Sequence, residues 1–585
     1  MSEAKITWIS GPVLRATTQD VFHINEALFV GNKKLLGEVI RIELDTIVAQ
    51  VYEDTSGLRP GDKVTGNGAP LSVKLGPALL GNIFDGLLRP LTLDSGDYVQ
   101  PGMQAPPPQK FIFKPIIRAG DLAAAGAIIG TATADGGRRQ SILVPPNISG
   151  KVIDVVEQGE YDDEQTVCTI KAVAGEEHQV AMSHQWPIRD ARPIAERLPT
   201  WGPLLTGQRI LDSIFPLACG GRSAMPGGFG TGKTVLQETL AKWCDADLIV
   251  YVGCGERGNE MAGVLHELPG LEDPRTGRPL MERTLIIANT SNMPVAAREA
   301  SIYTAVTVAE YFRDQGLRVA LMADSTSRWA EALREVSGRL GEIPSEAGYP
   351  AYLSSRLADF YERAAHVRAL CGQVGSLSII GAVSPPSADF SEPVTTHTKR
   401  YVRVFWALDA TRAQARFYPA IHPLQSYSGD IEDLIAFWQE NDHPHWLEQR
   451  RQFLTLLEQQ TRLERMARIV GKDALPPRQQ HILLCAELIN DAFLRQSAYS
   501  EVDRYCSPGR QAVMMQILTR FIELSQQAID QKVDIELINT MPLLRRLRRM
   551  NEDISEENLE QFDVLRTDME NEFSNLSKQD LSNVS

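Results

Sequence analysis

The sequence has no C-x-x-C pair, no excess of positive charge and no apolar run long enough to span a bilayer. Each absence excludes a class. The seven cysteines, at 168, 219, 244, 254, 371, 485 and 506, are odd in number and widely spaced, which argues against a disulfide framework and against a zinc site. Buried, reduced thiols in a cytoplasmic compartment are the expectation. Lys and Arg number 59 against 74 Asp and Glu, a formal net charge of -15. A nucleic-acid binder instead concentrates positive charge on one face, so no nucleic-acid partner is expected. The opening stretch, MSEAKITWISGPVLRATTQD, lacks a basic segment leading into an apolar one, and no signal peptide is expected. Work at a membrane would therefore go through partners.

What is there has the balance of an ordinary globular protein, 43% hydrophobic and 23% charged over 585 residues. That length suits about three to four domains. Residues 1–75 read as short strands broken by turns, such as Lys5–Ile9, Leu36–Ile42 and Thr46–Tyr52, which predicts a small β-barrel. Residues 76–109 read as a connector containing LLGNIFDG (Leu79–Gly86), with no evident chemistry. Residues 110–190 form a second β-rich block whose phrasing is that of a biotinyl or lipoyl carrier. Its lysines, Lys110, Lys114, Lys151 and Lys171, mostly fall inside strand-like runs and not at a hairpin tip, which favours a structural insert.

Residues 191–430 alternate apolar runs with helical periods. Strands are expected at Leu248–Val252, Thr284–Ala288, Val319–Ala323 and Ser376–Val383, with helices at Arg298–Gln315 and Ser355–Ala369 between them. This predicts a mostly parallel sheet wrapped by helices, with ligands at the carboxyl ends of the strands. Residues 431–585 read as helices: Ile431–Gln439, His445–Val470, Pro477–Ser497, Gly509–Ile529 and Glu556–Leu576, the last acidic and expected to be partly disordered.

The chemistry centres on GGFGTGKTV, Gly227–Val235, which fits G-x-x-x-x-G-K-[ST]. Gly227, Gly228, Phe229, Gly230, Thr231 and Gly232 form the loop. Glycines let the backbone turn its N–H groups toward phosphate oxygens, and the helix start adds its positive dipole end. Lys233 can reach the β- and γ-phosphates of ATP, and Thr234 can offer a hydroxyl to Mg²⁺. The competing reading is a glycine-rich turn before an ordinary helix. Past the run LIVYV, GCGERGNEM places Glu256 and Arg257 in a loop at the sheet's carboxyl edge. There Glu256 could polarise a water, and Arg257 could steady a phosphate or hold the glutamate. A solvated ion pair is the plainer alternative. Asp324 closes the apolar run of RVALMADSTSRW, as a Walker B acid does; it would also serve as a helix cap. Arg328 is a candidate to approach the phosphates. His366, His397 and His422 lack a second ligand at metal spacing and are read as packing or capping groups.

These motifs, with ANTSNMPVAAREASIYT (Ala288–Thr304), LMADSTSRWAEALREVSGRLGEIPSEAGYPAYL and FYPAIHPLQSYS, resemble the catalytic A subunit of the vacuolar/archaeal-type rotary ATPases, in a bacterial version. The resemblance covers nearly the whole chain. It implies a multidomain α/β protein: N-terminal β-barrel, β-rich insert, RecA-like P-loop core and C-terminal α-helical bundle. It also implies ATP hydrolysis or synthesis coupled to H⁺ or Na⁺ transport, with Lys233, Thr234, Glu256, Arg257, Asp324 and Arg328 at the active-site positions. The implied partners are a non-catalytic B-type subunit in an alternating hexamer, which lends an arginine finger, together with central and peripheral stalk subunits and, indirectly, a membrane sector. The implied location is the cytoplasmic face of the membrane. Adenine stacks on an aromatic in this family, matched by Tyr418 or its neighbour Phe417; for the second side Tyr505 is a candidate.

Three departures stand out: Gly228 where proline is common, Thr231 where eukaryotic relatives carry a cysteine, and Ser507 breaking a C-P-F-type phrase. A secretion- or helicase-type hexameric ATPase is the alternative enzyme, and a non-catalytic ring component the alternative of another class. Such components typically lose the loop lysine or the glutamate, and both are present here.

Overall fold

The computed structural model describes residues 2–91, 109–134 and 137–583. The expected connector therefore lies partly outside the described residues. The chain forms two compact units. The first contains residues 1–199, 219–224 and 246–402, and the second residues 200–218, 225–245 and 403–585.

In the first unit, six antiparallel strands between Glu3 and Pro70 close into a barrel. Their alternating apolar residues, among them Ile6, Leu14, Leu28, Val39, Ile47 and Val64, point inward and fill it. The β-rich block from Lys110 to Ala181 forms two four-stranded sheets around a core that includes Phe113, Ile129, Val152 and Ile170. The lysines of that block do sit in strands, Lys110–Pro115, Gly150–Val155 and Thr166–Lys171.

The same unit carries a parallel sheet ordered Ile83–Phe84, Thr284–Thr290, Leu248–Glu256, Arg318–Asp324 and Val374–Val383, followed by the first residues of Arg222–Pro226. These central strands are buried on both faces, which is why they read as unbroken apolar runs. Three expectations need correction. LLGNIFDG is more than a connector, because Ile83 and Phe84 pair in parallel with Ile286 and Ile287 and supply the sheet's edge strand. The helix expected over Ser355–Ala369 stops at Tyr361. Ala365–Arg368 then turns back as a strand antiparallel to Val374–Val383, and the β-branched Val367 is fully buried in it. Finally, the strand expected to end at Val252 runs on to Glu256.

The second unit holds the loop of Gly227–Gly232, the helix Lys233–Trp243 and the C-terminal helices. The segment expected as a helix over Pro477–Ser497 is helical to Ile489 and closes with a single wide π turn, Asn490–Leu494. Glu560–Asn583 is one continuous helix, where partial disorder was expected. Three α-helices of this unit were missed, Ala410–Gln414, Ile535–Asn539 and Pro542–Asp553. Ser507 is explained by what it caps. It precedes Pro508–Asp530, its hydroxyl accepts from the Arg510 amide, and the Glu556 carboxylate accepts from both its amide (2.7 Å) and its hydroxyl (2.6 Å). Serine as cap followed by proline at the first helical position is a favoured start, worth about 1 kcal/mol over alanine. Three of the arginines in Pro542–Asp553 pair within the chain: Arg546 with Asp568 (2.8 Å), Arg549 with Asp553 (3.0 Å) and Arg548 with Glu487 (3.8 Å). Among the described residues, no helix is long and apolar enough to cross a membrane.

Candidate nucleotide site

In the second unit the strand ending at Pro226 gives way to the loop, and the helix opens at Lys233 with Gly232 as its cap. Gly230 and Gly232 have φ of 76° and 80°, the left-handed region in which a side chain is strained. Gly227 is glycine for a different reason: a Cβ there would lie 2.6 Å from Thr231 Oγ1 and 2.8 Å from Leu408. The Thr231 hydroxyl donates to the Gly228 carbonyl at 2.8 Å and closes the loop on itself. No side chain caps the helix, so its first-turn N–H groups and positive dipole end are left to the loop's concave side. Phe229 is 89% exposed at the loop's tip.

Beside this loop lies a cavity of about 720 Å³ lined by Gly230, Gly232, Val235, Tyr418, Gln496 and Tyr499, with Arg495, Arg548 and Arg549 further along. Tyr418 packs against Gly232, where an added Cβ would meet its ring at 3.1 Å. Phe417 faces elsewhere. Its ring carries the Arg412 guanidinium at 4.4 Å and lines a separate cavity with His422 and Leu457. Tyr505 is likewise occupied, stacked on Trp243 with ring centroids 5.4 Å apart. The aromatic that lines the loop's cavity with Tyr418 is Tyr499, which sequence reasoning missed.

In the first unit Glu256 is the last residue of its strand, not a loop residue, and is buried. Its carbonyl accepts from the Ser291 amide at 2.9 Å. Arg257 follows as the exposed cap of the helix Gly258–Gly270. Asp324 ends the neighbouring strand, buried, and its carboxylate accepts from the Tyr251 hydroxyl at 3.2 Å. The helix-cap alternative for Asp324 is not realised, because Ser325 occupies that position. Arg328 is half-buried and pairs with Glu331 at 3.3 Å. Cys254, two residues before Glu256, is fully buried, and burial pushes its thiol up to about 12, so it stays protonated. His366 Nδ1 lies 2.7 Å from the Pro199 carbonyl, and His422 Nδ1 accepts from the Leu424 and Gln425 amides. No described cluster of three or more His, Cys, Asp or Glu could hold a metal ion.

A strand, a glycine-rich loop and a helix start, with parallel strands ending in buried acids, define a phosphate-loop nucleotide-binding protein. The nucleotide-binding domain of the ATP synthase alpha/beta family matches residues 207–428. Its beta-barrel domain matches 6–68, its barrel-sandwich domain 106–189, and the C-terminal domain of V and A type ATP synthase 436–538. The chain is 49% identical to the A subunit of the A-type ATP synthase of Thermococcus sibiricus, over 98% of this chain and 99% of the relative. It is 48% identical to the V-type ATP synthase alpha chain of Halothermothrix orenii and to the A subunit of the A-type enzyme of Methanopyrus kandleri, over 98% of each chain. The chain belongs to this family of A-type and V-type ATP synthase A subunits. Among solved structures it is similar in fold to the assembled ATPase EscN of the enteropathogenic E. coli type III secretion system, with a TM-score of 0.64 over 89% of this chain and all of that one, at 22% identity.

Proposed function

We propose that this chain is the catalytic component of a V/A-type rotary ATPase, which hydrolyses or synthesises ATP and couples it to H⁺ or Na⁺ movement across a membrane. The observation that carries the reading is 49% identity over nearly the full length to an A subunit, in a chain that keeps Lys233 at the end of its loop and a buried glutamate at the strand end. The likeness to EscN is one of fold alone, and the secretion-type alternative gains nothing from it.

Lys233 binds the β- and γ-phosphates, with the loop's amides from Gly227 to Val235 around them. Glu256 orients and activates the attacking water. Arg257 and Arg328 meet negative charge as it develops on the transferred group. Tyr418 and Tyr499 hold the adenine between their rings in the cavity they share. The Thr234 hydroxyl and the Asp324 carboxylate are each a hard oxygen donor of the kind that suits Mg²⁺, and each would hold it directly or through water. Bound there, Mg²⁺ would supply positive charge against the phosphates. The functional division follows the segments 1–75, 76–109, 110–190, 191–430 and 431–585. In the ring the chain alternates with a non-catalytic B-type partner, which supplies an arginine finger, and it contacts stalk subunits on the cytoplasmic face of a membrane complex.

The test is ATP hydrolysis by the purified chain alone and after mixing with its non-catalytic partner, with Glu256→Gln as control. Slow turnover alone, a large rise on mixing and its loss in the variant are expected. Full activity alone, or activity untouched by Glu256→Gln, would overturn the shared-site mechanism.

A further inference from the structure

Glu256 is presented by an irregular piece of backbone. The pairing of Leu248–Glu256 with Thr284–Thr290 slips by one residue between Cys254 and Glu256, so Gly255 is a bulge and Glu256 lies opposite Thr290. Bulges at strand ends re-aim the side chain that follows. Gly255 adopts φ 74°. A Cβ on it would lie 2.4 Å from Nε and 2.5 Å from Cδ of Arg298, so that side chain rests directly on the bulge. Arg298 comes from the first turns of the helix Val295–Arg313, and its Nη2 donates to the Ser291 carbonyl at 3.1 Å. Ser291 is the residue whose amide holds the Glu256 carbonyl. One side chain thus touches the backbone on both sides of Glu256.

Arg298 is a costly way merely to fill space. It is 9% exposed and forms no ion pair with a described residue, and its Nε has no hydrogen-bond partner among them. Glu331 and Glu335 act on it only from a distance, against Arg328. A buried guanidinium so poorly compensated is less stable than an apolar side chain of the same volume.

Its helix is itself anchored. The Glu299 carboxylate accepts from Arg189 at 2.9 Å, the Glu299 carbonyl from Trp329 Nε1 at 3.1 Å, and Thr304 donates to the Gly86 carbonyl at 2.9 Å. Arg298 therefore bears on the bulge from a fixed base. We infer that Arg298 is a positioning residue for ATP hydrolysis: by clamping the Gly255 bulge against Ser291 it sets the place of the Glu256 carboxylate. The inference rests on the water-activating role proposed for Glu256.

The assembled complex is the material for the test. Arg298→Ala should lower kcat about 100-fold, the scale of a roughly 1 Å misplacement, with KM for ATP nearly unchanged. Free guanidinium should restore much of the loss, while Arg298→Lys, whose single ammonium cannot span both contacts, should remain impaired. In a Glu256→Gln background the alanine change should cost nothing further. If Arg298→Ala prevents assembly, Arg298→Lys carries the same kcat and KM comparison. A kcat close to that of the parent in either variant, or a loss that falls on KM or is indifferent to guanidinium, would overturn the positioning role. Undiminished activity in Glu256→Gln alone would instead overturn the glutamate's role.

Discussion

A tyrosine that leaves 90% of its surface in water, as Tyr499 does, gains little from its ring in the folded chain. A flat ligand would give it more, and the cavity it shares with Tyr418 and the phosphate loop has room for one. Base–aromatic stacking is worth about 1–3 kcal/mol per base, so Tyr499→Ala should weaken ADP binding by about 5- to 150-fold. Binding of inorganic triphosphate should be unchanged, because it has no ring to stack. Equal losses for both ligands in titration calorimetry would contradict the assignment. Asp324 stood out in the sequence as a carboxylate closing an apolar run; Glu256 stood out only as a carboxylate in the glycine-rich stretch past LIVYV, and was read as a loop residue because those glycines hide the strand's last four residues. Tyr499 did not stand out, since SAYS, far along the chain from the loop, carries no periodic signal and only the fold brings it there. Arg298 was hidden differently: it sits in a helix whose polar residues are nearly all buried, so no amphipathic stripe marks it out.

At the scale of elements, the packing of Pro477–Ile489 on Pro508–Asp530 includes a buried histidine. His481 is 2% exposed, and its Nε2 lies 2.7 Å from Ser525 Oγ, whose own proton goes to the Phe521 carbonyl. Burial, only partly opposed by Asp530, lowers its pKa to about 4. The folded state thus resists a proton that the unfolded chain accepts near 6.5. The stability this neutral imidazole contributes is complete above about pH 6.5 and is lost as pH falls toward about 4, at about 1.4 kcal/mol per pH unit. His481→Gln, which keeps a donor to Ser525, should flatten the acid limb of urea stability across that same window. An unchanged slope would reject this account. Elements were legible wherever period and length agreed, as in Trp446–Val470. They failed where tertiary pairing decided: Ala365–Arg368 continues a helical-looking run yet pairs as a strand, and the two-residue strand Ile83–Phe84 is too short for any period to show.

At the scale of the whole molecule, the phosphate loop and its helix belong to one unit with the C-terminal helices, although most of the intervening and preceding chain belongs to the other. Sequence order alone does not suggest this, because the chain leaves the first unit inside a single strand, Arg222–Pro226. A ligand held by the loop therefore stabilises a body assembled from three separate stretches, and its effect should reach helices far from it in sequence. At a hundredfold excess over Kd, Mg-ADP should add about 2.7 kcal/mol to the stability of that unit. Limited proteolysis should then slow within Trp446–Val470 and Pro508–Asp530 when Mg-ADP is present, by close to a hundredfold where cleavage needs the unit to open. Lys233→Ala, which removes the phosphate contact and leaves the glycines in place, should abolish the protection without altering the cleavage rate in the absence of nucleotide. Protection confined to the loop, or surviving in Lys233→Ala, would mean either that the unit does not open as one body or that the nucleotide is held elsewhere.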